Sequence, residues 1–349
     1  MKKNAQSMKK HAQQTGGART PLTSFSRTAV RAAWAVLLAL PVAFAQNPVN
    51  WTVGDVFVAT GNDSYHVWHS ANPTAKNPVY TDVQTINDGT PATGGTSGCA
   101  FDSAYRLFTT NFTNTDIVRF TIDNAHPIAQ SIQSANFRNS ESVAFDGAGN
   151  FYAGYAGTTT SLIGGGLEIY NHAGTLQNFF TTTTNPLPQP NLITVENGGV
   201  DWLDVAQDGH TIFYTSKGRK IFMFDTLNPG AGSKVYADLS LLGGNISKGK
   251  LFAIRVVPSA GAVPGSAGVF VADQANVKLV KSTCTATGCT VQSVQMFKFT
   301  GETDLEALSL DPTSPTTTFW VGDHTTGHAL HFNITKSQPD VTLPTGAAA

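Results

Sequence analysis

A chemical reading of this 349-residue chain starts from a repeated pair of acids: Glu141 precedes Asp146 by five residues, and Glu306 precedes Asp311 by five. Asp201 and Asp204 flank Trp202, Arg255 stands in the middle of the apolar run 252–257, and Glu196 and Asn197 lie on the segment leading to Asp201. Brought together, these groups could do one of two things. Carboxylates with backbone carbonyls can hold a hard divalent cation, which wants six or more oxygen ligands. Alternatively they can pair with Arg255 in a buried lattice that ties neighbouring strands together, because the guanidinium would repel a cation in the same tier. Histidines offer a third chemistry, as general bases that need a tuned pKa beside a placed acid. His324, His328 and His331 cluster near the end of the chain, with His66 and His69 near its start. His328 and His331 are three apart on a strand-like run, so alternation sends them to opposite faces. They, with the earlier pair, are expected to be surface or loop residues; His324, after Val321-Gly322-Asp323, is the best placed. No Gly-x-Ser-x-Gly elbow, P-loop, His-Glu-x-x-His or EF-hand loop is present.

The elements that must position these groups are short strands. Residues 200–206 run into Asp208-Gly209, 211–215 run back, Lys217-Gly218 turns again, and 220–224 make a third strand. Asp-Gly between β-branched and aromatic residues is a strong hairpin signal, because Gly accepts the positive φ of a tight turn. The pattern recurs six times, in runs beginning near residues 55, 98, 141, 200, 252 and 306. Each unit holds about four strands in roughly 40–60 residues, the size of one propeller blade. A blade is a small sheet with two apolar faces, and radial packing around an axis covers both. The expected fold is therefore an all-β, six-bladed propeller of four-stranded antiparallel blades, rather than two stacked sandwiches. The first unit lacks an evident innermost strand before Asp55. Residues 49–53 would supply it, or 340–343 would close the ring from the other end. Gly/Pro/Thr/Asn-rich stretches, among them 87–98, 181–191, 258–268 and 311–318, read as surface loops. The proline-stiffened 182–190 also has the form of a peptide-docking segment.

The phrases Val143-Ala144-Phe145-Asp146-x-x-Gly149-Asn150-Phe151-Tyr152-Ala153 and Asp208-Gly209-x-Thr211-Ile212-Phe213-Tyr214 resemble the blade phrases of NHL-repeat and SMP-30/gluconolactonase-like six-bladed propellers. The chain is also similar to a group of exported bacterial NHL-like proteins of undefined role. The resemblance implies a divalent cation, commonly calcium, held in the channel by Glu, Asn and Asp, with Glu141 and Asp201 at inner-strand ligand positions. Two of the family's ligands have no counterpart. Tyr214 is followed by Thr215-Ser216 where a carboxylate belongs, and the opening Glu of the first unit is missing.

Residues 1–45 read as a signal peptide, with seven basic side chains, no acidic one, and an apolar run at 32–45 ending in Val42-Ala43-Phe44-Ala45. That run is short for a membrane span, which takes ~20 residues, and no later stretch is apolar enough for one. Cleavage after Ala45 leaves a single domain, 46–349, with 15 basic and 23 acidic residues, a net of −8. This argues against a nucleic-acid partner. Cys284 and Cys289 flank a Gly-containing hairpin tip and are expected to form a disulfide, and Cys99 a buried inert thiol. The whole reads as a periplasmic or secreted monomer. Its channel mouth, lined by Glu141, Asp201, Asp204, Arg255, Glu306 and His324, binds a small molecule, glycan or protein. The alternative is a metal-dependent lactonase or ester hydrolase.

Overall fold

In a computed structural model, residues 51–345 are described, with 62–63, 76–77, 88–94, 121–129, 158–164, 183–191, 248 and 260–262 excepted. The leader with its cleavage point, and the proline-stiffened segment from 183 on, lie outside the described residues.

Among the described residues, twenty-three strands group into six antiparallel sheets. The first holds β1 (Val56–Ala59), β2 (Ser64–His69) and β3 (Thr81–Asn87); the second β4 (Thr96–Phe101), β5 (Leu107–Asn111), β6 (Asp116–Arg119) and β7 (Gln130–Gln133). The third runs β8 (Ser140–Phe145), β9 (Phe151–Tyr155), β10 (Gly166–Tyr170), β11 (Leu176–Thr181). The fourth runs β12 (Trp202–Val205), β13 (Thr211–Thr215), β14 (Lys220–Asp225), β15 (Lys234–Asp238). The fifth is β16 (Leu251–Val256), β17 (Val269–Asp273), β18 (Asn276–Cys284), β19 (Cys289–Lys298); the sixth is β20 (Leu305–Leu310), β21 (Thr318–Asp323), β22 (His328–Asn333), β23 (Val341–Pro344). First strands of successive blades abut, β1 on β4, β4 on β8, β8 on β12, β12 on β16 and β16 on β20, so they line the axis. The chain is a six-bladed β-propeller.

Turn chemistry explains why the blades repeat. Asp146 Oδ1 accepts from the backbone N–H groups of Ala148 and Asn150, and Asp208 Oδ1 from those of His210 and Thr211. Asp102 does the same for Ala104 and Arg106, and Asp311 for Thr313. Each Asp closes the turn between the first and second strands of its blade, so the acid five residues after Glu141 and Glu306 is a turn-maker. The second strand is then buried on both faces: all five residues of β5, β9, β13 and β17 are buried.

An aromatic pair joins every pair of neighbouring blades around the ring. Ring centroids lie 6.4 Å apart for Tyr65–Phe120, 4.9 Å for Phe108–Phe145 and 4.8 Å for Phe180–Phe224. The remaining pairs are Trp202–Phe252 at 5.1 Å, Phe270–Phe319 at 5.1 Å and Tyr80–Trp320 at 5.6 Å. Such contacts add about 0.5–1.5 kcal/mol each beyond area burial, and they express radial packing directly.

The ring closes differently from either expected route. Residues 341–344 form the outer strand of the sixth blade, and β1 is itself the innermost strand of the first. What the first blade lacks, among the described residues, is its outer strand. Side chains join the first blade to the sixth. Tyr80 packs edge-on against Trp320, Trp320 contacts the His331 ring, and His331 bridges Asp340 Oδ1 (2.6 Å) and Asp311 Oδ2 (3.1 Å).

Of the histidines expected at the surface or in loops, His66, His69, His328 and His331 lie on strands, partly exposed, and each meets a carboxylate: Asp82, Asp55, Glu302, and Asp311 with Asp340. Cys284 and Cys289 form the disulfide at the β18–β19 tip, and both sulfurs lie 3.8 Å from Met223 Sδ. No helix among the described residues is long and apolar enough to cross a membrane.

Candidate functional site

Antiparallel alternation puts two sets of loops at one end of the propeller: those entering first strands, and the turns from second to third strands. Glu141, second in β8, and Asp201, just before β12, come from the first set; Lys217, on the β13–β14 turn, comes from the second. Lys217 Nζ lies 2.8 Å from Glu141 Oε1 and 3.5 Å from Asp201 Oδ1. It also stands 5.4 Å from the Trp202 ring centroid and 5.7 Å from that of Phe112.

Local structure explains the placement. Gly199 lets the loop into β12 press against the third blade, since a Cβ there would meet the Tyr155 carbonyl oxygen at 2.0 Å. The Ser142 hydroxyl then donates to the Asp201 carbonyl (2.7 Å), fixing the carboxylate beneath Lys217. Lys217 itself has φ +54°. A left-handed backbone costs a residue with a Cβ roughly 1–2 kcal/mol, and such strain concentrates where geometry is held for function.

The electrostatics follow from burial. Asp201 is 1% exposed and Glu141 4% exposed, while the Lys217 side chain is 38% exposed. Burial, then the neighbouring Glu141, pushes Asp201 up to about 8, with Lys217 opposing. Burial also raises Glu141, again against Lys217. Burial works to lower Lys217, but Glu141 and Asp201 outweigh it and hold it above the usual lysine value. At neutral pH the cluster therefore keeps a proton on Asp201 and a permanent charge on Lys217. Neither carboxyl oxygen of Asp201 has a hydrogen-bond partner among the described residues, Lys217 meeting Oδ1 as an ion-pair neighbour only.

The other sequence candidates divide into two levels. Glu306, second in β20 as Glu141 is in β8, stands at the same end of its blade; it is half-buried, and burial and Asp304 raise it, while His324 is exposed. Asp204 lies three residues beyond Asp201, about 10 Å further along an extended chain. There its Oδ2 accepts from Val256 N–H (2.7 Å), burial raises it, and Arg255 opposes that shift. Arg255 donates to the Ile254 carbonyl and lowers the Cys99 thiol, which burial otherwise raises. Cys99 is half-buried on β4. Arg255 thus serves the deeper level, and the cation on Glu141 and Asp201 is Lys217.

The sequence marks Lys217 as a turn residue only, with one faint further signal: a lysine stands where a tight turn with positive φ favours Asn or Gly.

The donor set does not fit a hard divalent cation. Lys217 occupies the place from which an ion would bridge Glu141 and Asp201. Among the described residues no group of three or more His, Cys, Asp and Glu gathers as a metal site.

The fold and mouth define a class, a six-bladed propeller with a lysine-centred channel entrance. No protein-family model matches the chain, and no curated protein matches it significantly. Among solved structures it is similar to U3-55K, with a TM-score of 0.47 and 11% identity over 72% of this chain and 65% of that one, just under two thirds of its length. It is also similar to the RRP9 WD40 repeats, with a TM-score of 0.48 and 10% identity over 83% and 69%. At such identities neither carries a function to this chain.

Proposed function

We propose that the protein is an exported, monomeric binding module of NHL-repeat or SMP-30-like type that takes a small molecule at its channel mouth, with Lys217 as the anchoring group. One observation carries this reading: a half-exposed ammonium is held by two buried carboxyl groups and two aromatic rings on a strained turn. An ammonium has three donors; Glu141 Oε1 accepts one, and Asp201 Oδ1 stands 3.5 Å away without a hydrogen bond of its own. The held ammonium can meet an oxygen-rich ligand without the ordering cost a mobile lysine would incur. The hydrolase reading asks Glu141 and Asp201 to hold an ion, and Lys217 supports binding over that chemistry.

The test is ligand-induced melting shifts across hexoses, uronic acids and small organic acids, run on the wild type and on Lys217→Met. A ligand at one hundred times its Kd adds about 2.7 kcal/mol of stability, and that shift should vanish in the variant. Equal shifts in the two proteins would remove Lys217, and with it this reading.

A further inference from the structure

Beside the mouth, between the fourth and fifth blades, lies a cavity of about 420 Å³ lined by Glu196, Asn197, Lys217, Arg219, Lys250 and Gln274, with two glycines completing the wall. Its volume falls within the usual range for small-molecule sites, about 300–1,000 Å³. The charges inside it do not cancel. Glu196 is already committed: its Oε2 accepts from the backbone N–H groups of Arg219 and Lys220, both at 2.7 Å, and its Oε1 faces Lys220 Nζ at 3.8 Å. Lys217 is matched by Glu141 and Asp201. Arg219 and Lys250 are exposed and have no ion-pair partner among the described residues. A chain with one more acidic than basic residue thus leaves two uncompensated cations in one concave site, where walls of low dielectric concentrate their field.

We propose that the ligand is a small organic dianion, either a dicarboxylate or a phosphomonoester, seated in this cavity with its charges on Arg219 and Lys250 and an oxygen on Lys217. This rests on the reading of the mouth as a ligand site and names the ligand class. Arg219 supplies a planar fork suited to carboxylate or phosphate, Lys250 a point charge, and the Gln274 amide a neutral donor. Glu196 holds the turn that aims Arg219.

Calorimetric titration of the purified protein with malate, glucose 6-phosphate and glucose tests this, the two dianions separating the carboxylate source from the phosphate one. At least one dianion should bind and glucose should not, with affinity falling as salt is raised. Arg219→Ala and Lys250→Ala should each weaken binding about tenfold, and Lys250→Glu more. Both side chains are exposed, so the variants should fold. Glucose binding as well as the dianions, with affinity lost in Lys217→Met but kept in Arg219→Ala and Lys250→Ala, would overturn the dianion while leaving the mouth as a site. Neither dianion binding at millimolar concentration would also overturn it. Binding of a dianion unaffected by Lys217→Met would count against the reading of the mouth itself.

Discussion

Asp273→Ala is expected to destabilise the protein by about 3–5 kcal/mol, the largest loss for any single polar group outside the mouth. Lys278 is fully buried on β18, and its ammonium meets Asp273 Oδ2 at the end of β17, where Asp273 is 2% exposed. The Asn276 amide donates to the other carboxylate oxygen at 3.1 Å. Sheet register forces this meeting, since Asp273 pairs with Asn276 and Lys278 with Val271, in a blade whose other inward positions are Val, Phe and Leu. Removing the carboxylate strands a charge where water cannot reach it. Burial already pushes Lys278 down to about 8, so the truncated protein would shed the proton at mild alkalinity, and its stability should recover partly as pH rises. The paired change Asp273→Leu with Lys278→Met should be close to neutral or stabilising, because no buried charge remains. Denaturant unfolding of the three proteins checks this. A single variant within about 0.5 kcal/mol of the wild type, the range of an ordinary surface change, would sink it.

Asp201→Asn should instead stabilise the protein, and only at higher pH. Folding raises the Asp201 pKa from an ordinary 3.8 to about 8, so the native state binds a proton that the unfolded chain releases. The sign follows: the stability linked to this group is fully present below about pH 4 and is lost as pH rises through about 8. Asparagine keeps the shape and does not titrate. The variant and the wild type should melt alike near pH 4 and diverge by several kcal/mol in the variant's favour toward pH 8. Parallel melting curves across that range would show that Asp201 ionises freely. A buried carboxyl kept in place against stability is the kind of trade a functional site makes, and among the described residues neither of its oxygens has a hydrogen-bond partner.

The fold was legible because its determinants are local. The Asp turns and the glycines with positive φ, such as Gly149 at +85° and Gly209 at +78°, are written within a few residues of the strands they join. Ring closure was misplaced because a four-residue strand such as β1 carries no mark of whether it is inner or outer. Only its contact with β4 decides. At the mouth, Glu141 and Asp201 could be found by aligning repeats. Lys217 could not, because its partners are 76 and 16 positions away, and nothing in Ser216-Lys217-Gly218 announces them. Lys278 was hidden in the same way, inside an apolar run whose strand character was evident and whose buried partner was not.

The central claim is that an ammonium, and not a metal ion, neutralises the acids at the channel mouth. Elemental analysis of the purified protein, joined to melting in calcium and in chelator, tests it most directly. The account predicts no stoichiometric divalent ion and the same melting temperature in both conditions. One bound ion per chain, with melting lowered when the chelator removes it, would contradict the claim.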